Sequence, residues 1–229
     1  MTYEEAVKDM AEESSDDGTD GDDVVSMQGD VIEGETVFLG TYEQDADDSN
    51  GKEDIEWQVL KVEEGRALIV SKYALDCQCF DNWKDGEETV SWEDSSLRYW
   101  LNNDFYDSAF TDGEKKTILY SNLKADINPD FDTTIGNDTE DKVFLLSMEE
   151  AKKYLPEREK RVCTATEFSI TRGAENASHS VGCWWLRTIG AESAYVAIVK
   201  WDGEIDTHGF HSHYSECAVR PAMWVRVEP

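Results

Sequence analysis

The sequence predicts an α+β domain: a twisted, mainly antiparallel sheet carrying two to three short helices. Three observations predict it. Strand-like segments punctuated by tight-turn residues occupy both flanks, and short capped helical patterns fill the middle. With 39% hydrophobic and 11% aromatic residues in 229, the chain can bury the core of one generous domain.

Residues 1–33 read as an acidic, flexible tail or linker, and residues 34–229 as the domain. The first 23 residues carry ten acidic side chains against one basic, behind a helical pattern at residues 2–13. So few apolar groups do not offset the entropy of ordering the chain. Strand patterns begin at residues 36–40 and continue at 55–62 and 66–71, with Glu64-Gly65 as the turn between the last two. Alternation in one and a dense apolar run in the other predict a hairpin at the centre of the sheet. The acidic stretch 45–50 is an exposed loop.

Leu97, Trp100 and Leu101 fall at i, i+3 and i+4 behind Ser95 as an N-cap, which predicts a helix packed on the sheet. A second helix is expected at residues 112–119. A long Asp- and Asn-rich connection, 124–141, leads into an apolar strand at 142–146. Ser147-Met148-Glu149-Glu150 is a capping box that starts a helix, and Pro156 ends it. Strands return at 183–187, 194–199 and 218–227, with Asp202-Gly203 as a hairpin turn.

The 51 acidic residues against 21 basic give a formal net charge of −30. Such a field repels phosphate backbones and anionic lipid, which argues against nucleic-acid and membrane-surface roles. No apolar stretch approaches the roughly 20 residues of a membrane-spanning helix. Met1-Thr2-Tyr3-Glu4-Glu5 lacks the basic and apolar regions of a signal peptide. The expectation is a soluble cytoplasmic protein, or one at the cell surface or outside it if the sequence is a fragment.

Five cysteines, Cys77, Cys79, Cys163, Cys183 and Cys217, leave at least one without an intrachain partner. Cys77-x-Cys79 is neither the Cys-x-x-Cys redox spacing nor a zinc knuckle. Reduced, structural thiols are expected.

Several ordered segments carry a resemblance. They are Gly40-Thr41-Tyr42-Glu43-Gln44, Trp57-x-Val59-Leu60, the Ser71 to Asp76 stretch, Trp92-Glu93-x-Ser95-Ser96-Leu97-Arg98-x-Trp100-Leu101-Asn102, the Asp141 to Ser147 stretch, Trp184-Trp185-Leu186-Arg187 and Val219-Arg220-Pro221-Ala222-x-Trp224. Together, over about residues 36–227, they resemble a bacterial family known as a domain of unknown function, to which no activity attaches. The terminal part is also similar to formylglycine-generating-enzyme-like domains and to the variable proteins diversified by retroelements. Both have C-type-lectin-like folds, so the resemblance implies that fold, with a C-terminal binding face.

That face is expected to present Trp184, Arg187, Tyr195, Trp201, Asp206, His208, Phe210, His211, His213 and Tyr214 to a protein or carbohydrate ligand. Three of the four histidines lie within six residues, and rigid aromatic side chains supply contact area at low entropic cost. The resemblance to diversified proteins adds the expectation that these positions are hypervariable. The bland alternative is an irregular loop with scattered polar side chains.

No catalytic residue and no cofactor is expected, although two metal constellations are weighed. His208-x-x-His211-x-His213 offers borderline nitrogen ligands for zinc, without a recognised zinc spacing. Asp130, Asp132 and Asp138, with Asp126, Asn137 and Asp141 in the same loop, offer oxygen ligands for calcium. Asn128-Pro129-Asp130 is similar to the Pro-flanked pair of sugar-binding C-type lectins, but the Trp-Asn-Asp stretch those lectins require is missing. A thiol or metal enzyme using Cys183 and Cys217 or the three histidines is the alternative, as is a regulatory or structural domain. Trp92, Arg98, Trp100, Leu101, Trp185, Arg220, Pro221 and Trp224 are expected in the core, with Glu93 or Asp94 or backbone carbonyls answering Arg220.

Overall fold

The computed structural model describes residues 31–82, 89–133, 136–177 and 180–227. The expected acidic tail, apart from residues 31–33, lies outside the described residues.

β1 (Thr36–Tyr42), β2 (Glu53–Glu63) and β3 (Arg66–Ser71) form where alternating and β-rich apolar residues demand strands. β2 and β3 join through Glu64 (φ 47°) and Gly65 (φ 75°), the two left-handed residues of a tight hairpin whose twist matches the strands. Trp57 is fully buried on this sheet, and its indole N–H donates to the Leu39 carbonyl at 2.8 Å.

β4 (Tyr73–Ala74) and β5 (Asp76–Cys77) then take the chain out of the first sheet. Ser95 caps α1 (Ser96–Trp100), which runs on through a π-helical turn at Leu101–Phe105 into α2 (Tyr106–Ala109). A Thr111–Glu114 capping box starts α3 (Asp112–Lys115). This helix stops short of the expected residue 119 because Ile118 bridges Val225 and extends the chain.

β6 (Ser121–Leu123) pairs with β7 (Thr139–Asp141). The expected strand at 142–146 is instead a buried extended segment, because it finds one ladder partner, Ala222 opposite Phe144. Ser147 and Glu150 complete the expected capping box of α4 (Met148–Tyr154). α5 (Arg158–Arg161), β8 (Thr164–Ala165), α6 (Glu167–Thr171), β9 (Asn176–Ala177) and β10 (Ser180–Val181) follow. β8 lies parallel to β4, and β9 pairs with β10.

The last third forms β11 (Cys183–Ile189), β12 (Tyr195–Lys200), β13 (Ile205–His211), β14 (Ala218–Val219) and β15 (Ala222–Arg226). Two main sheets result. One is an antiparallel sheet in the order β1-β2-β3-β15, and the other has the order β13-β12-β11-β14-β5. In the second, β11 and β14 run parallel and the other pairs antiparallel.

The single strand expected at 218–227 therefore splits at Arg220-Pro221, where proline cannot donate to a ladder. Its first half joins one sheet and its second half the other. The chain between β3 and β5 makes the same change of sheet alongside. The two crossings are tied by Ser71 N–H to the Pro221 carbonyl (2.8 Å), Leu75 N–H to the Val219 carbonyl (3.0 Å) and Arg220 Nε–H to the Ser71 carbonyl (2.9 Å). Arg220 is 2% exposed and lies 5.1 Å from the Trp184 ring, so a carbonyl and an aromatic face answer its charge. Glu93 and Asp94 are engaged elsewhere, with Asn137 and Ser91.

A second buried charge closes the helical layer. Asp141, 2% exposed, accepts from Trp92 Nε1 (2.9 Å), Arg98 Nε (2.7 Å) and Thr139 Oγ1 (2.7 Å). Asp141→Ala strands the half-buried Arg98 and the buried indole N–H, and we expect a loss of about 3 kcal/mol in urea unfolding. An unchanged midpoint would show that this cluster does not bear on stability.

Candidate functional site

β13 is an edge of the five-stranded sheet, and its irregularity shapes the surface. Between the pairs Val196↔Phe210 and Ile198↔Asp206 the register shifts, leaving Thr207, His208 and Gly209 opposite a single residue. Gly209 (φ 75°) makes this possible, since a Cβ there would stand 2.0 Å from the Val196 carbonyl oxygen. The Asp206 carboxylate closes the bulge by accepting from the N–H groups of His208 (3.0 Å) and Gly209 (3.2 Å). Bulges of this kind re-aim side chains at a sheet edge.

The re-aimed side chain is His208. Its ring meets Tyr195 edge-on at 5.4 Å and 90°, and Phe131 meets His208 in the same way at 6.1 Å and 89°. Tyr195 pairs with His211 across the ladder, with rings 5.5 Å apart, and the His211 and His213 rings are 3.9 Å apart. Phe131, His208, Tyr195, His211 and His213 thus form one row of rings along the sheet edge. His208 and His213 are exposed, and the other three are half-buried.

Phe131 carried no signal of its own in the sequence. It reaches the row because Asn128, 1% exposed, clasps its loop to the sheet by donating to the Ile189 (3.0 Å) and Thr207 (2.8 Å) carbonyls. A cleft of about 740 Å³ lined by Asp81, Asn82, Ser91, Asp94, Ser96 and Tyr99 adjoins the segment that carries the row. Its walls are joined to that segment by Asp81 N–H to the Ser212 carbonyl (3.1 Å) and Val90 N–H to the Ser193 carbonyl (2.8 Å).

The other expected site residues lie elsewhere. Trp184 and Arg187 are buried rather than presented, because β11 has neighbours on both sides and all seven of its residues are covered. Trp184 Nε1 donates to the Arg161 carbonyl at 3.0 Å, and Arg187 forks onto Glu150 and donates to the Leu145 carbonyl at 2.9 Å. Phe210 and Tyr214 pack together at 4.9 Å against the core, on the opposite face of β13 from His211. Tyr214 donates to Glu216 at 2.8 Å, and that bond raises its pKa well above the usual range. Trp201 is 58% exposed but sits at the far tip of the β12–β13 hairpin, about 20 Å from Tyr195 at strand spacing. Asp206 serves the bulge.

The metal expectations disperse in the same way. Asn128 and Asp126 are committed to the scaffold, the latter accepting from Thr188 at 2.5 Å. Asp138 pairs with Lys124 and Asp141 with Arg98. His208 is separated from His211 and His213 by the Tyr195 ring. Among the described residues, one triplet brings metal-ligating atoms within 4.8 Å of each other: Glu43 and Asp45 in the loop after β1 and Glu53 at the start of β2, an all-oxygen set. Burial and the Glu53 charge raise the Glu43 carboxyl, whereas hydrogen bonds from Asn50 and the Asp47 N–H lower that of Asp45. Cys183 and Cys217 are 1% and 0% exposed, and burial raises the Cys217 thiol far above its usual value, the reverse of an activated nucleophile.

The chain belongs to a family described as a domain of unknown function (DUF6273), which matches residues 64–227, more than two thirds of its length. No curated protein and no solved structure matches it. β1 and β2 both precede the matched span, yet they complete the first sheet beside β3.

Two outcomes test the site's construction. Gly209→Ala forces a left-handed alanine into backbone contact, and we expect it to cost at least about 2 kcal/mol in urea unfolding and to remove the aromatic ring-current shifts of His208 in NMR. Normal shifts and stability would contradict the bulge. Burial, then the neighbouring His213 charge, hold His211 below the ordinary histidine value. The unfolded chain therefore binds the proton more readily, so stability is intact above about pH 6.5 and falls as pH drops towards the lower folded value. His211→Gln should flatten that slope in unfolding curves taken from pH 7 to 5.

Proposed function

We propose that this domain is a non-catalytic ligand-recognition module with a C-type-lectin-like fold, binding a carbohydrate or protein through the ring row. The row itself carries this reading: five rings held on a rigid sheet edge by a structured bulge and a buried asparagine clasp. Rigid aromatic and imidazole groups give contact area and hydrogen bonding with little entropy left to lose. Carbohydrate is favoured by the adjoining cleft, whose carboxylates, amide and hydroxyls suit sugar hydroxyls while the rings suit sugar faces. The net charge of −30 favours an uncharged or cationic ligand over an anionic one. The fold proposal draws on the two twisted sheets and on the likeness of the Trp184-Trp185-Leu186-Arg187 and Val219-Arg220-Pro221-Ala222 segments to lectin-like domains.

Parallel glycan and peptide arrays probed with the whole chain test the proposal. We expect a ligand whose binding weakens about tenfold or more for Tyr195→Ala and for His211→Ala, since truncating a central anchor costs at least about 1.4 kcal/mol. Trp201→Ala, at the far hairpin tip, should bind as the parent does. Equal binding by all three variants would place the ligand elsewhere.

A further inference from the structure

Every ring of the row except Phe131 is carried by the chain between Cys183 and Cys217. These two cysteines lie side by side. β11 and β14 run parallel with Trp184 opposite Ala218, so the preceding residues, Cys183 and Cys217, are neighbours across the ladder and face the same side. Adjacent strands stand about 4.8 Å apart, within the roughly 4.4–6.8 Å between Cα atoms that a disulfide spans. Both thiols are buried, and burial and the neighbouring Cys183 side chain raise the Cys217 thiol well above its ordinary value. Cys77, on the next strand, turns its sulfur to the Ser215 and Cys217 carbonyls at 3.1 and 3.4 Å. Cys79 and Cys163 likewise contact carbonyls, of His213 at 3.2 Å and Lys72 at 3.6 Å.

We propose that Cys183 and Cys217 are a disulfide site, oxidised during folding to a cross-link that clamps both ends of the segment bearing the ring row. The oxidant is a low-molecular-weight disulfide such as oxidised glutathione. One cysteine thiolate attacks it, forming a mixed disulfide and releasing one glutathione thiol. The second cysteine, also deprotonated, displaces the other glutathione. Two protons and two electrons thus leave the protein, one Cys183–Cys217 bond forms, and two glutathione thiols appear. Burial keeps both sulfurs from a soluble disulfide in the folded state and raises the Cys217 thiol, so the exchange belongs to the stage before β14 docks, and the finished bond is shielded from reductants. The proposal stands apart from ligand recognition and is tested without a ligand.

The whole chain, reduced and unfolded, is refolded by dilution into a glutathione redox buffer, alkylated, and mapped by mass spectrometry of a non-reduced tryptic digest. Cleavage at Arg187 and Lys200 puts the two cysteines on different peptides. We expect those peptides to be joined, three free thiols to remain, and the urea midpoint to rise above that of the reduced protein. Cys77→Ser should retain the link, whereas Cys183→Ser and Cys217→Ser should lose it. Five free thiols, glutathione adducts without the cross-link, or Cys77 joined to either cysteine would overturn the proposal. If the Cys183 or Cys217 variant fails to fold by circular dichroism, the parent and Cys77→Ser maps still decide.

Discussion

Arg220-Pro221 is the joint on which the two sheets depend. Pro221 ends the ladder of one sheet because it has no N–H to give, and its carbonyl immediately accepts from Ser71 in the other. Arg220 fills the angle between the crossings, bonded to the Ser71 carbonyl and covered by Trp184. A guanidinium in such a place carries a large desolvation cost unless its partners are fixed. Its presence therefore pins the crossings at one register, and with them the relative placement of β3, β5, β14 and β15.

That joint has consequences for the surface. By drawing β14 beside β11, it places β11 in the interior of the five-stranded sheet, covered on both faces. Trp184, Trp185 and Arg187 become scaffold, and the proposed recognition surface falls instead at the edge strand β13. There the ladder's irregularity is sustained by Gly209 and Asp206, two residues whose work is to shape backbone. The row of rings is thus a product of backbone geometry as much as of aromatic content.

Local chemistry made much of this legible. Ser95 and Ser147 announced their helices because a cap is a short-range hydrogen bond, and both caps form. Glu64-Gly65 announced the central hairpin because left-handed turns need residues that tolerate them. The concentration of His208, His211 and His213 marked the segment that forms the row. Legibility failed where a segment's state depends on distant partners. Residues 142–146 have the composition of a strand but, among the described residues, one bridging partner, and Ile118 left its helical pattern to reach Val225.

The sequence by itself determined the α+β class, the turns, the caps and the stretch of chain in which the ring row arises, since each follows from interactions spanning a few residues. Only the tertiary structure decided which aromatic residues are buried and which are presented. Trp184 and Trp201 look alike in the sequence, but one lies beneath a buried arginine at the centre of a sheet and the other at an exposed hairpin tip. Phe131 joined the row from about 80 residues away through the Asn128 clasp. Periodicity gives the face a residue shares with its neighbours; which face is covered depends on the strands that dock beside it, and that is a property of the whole chain.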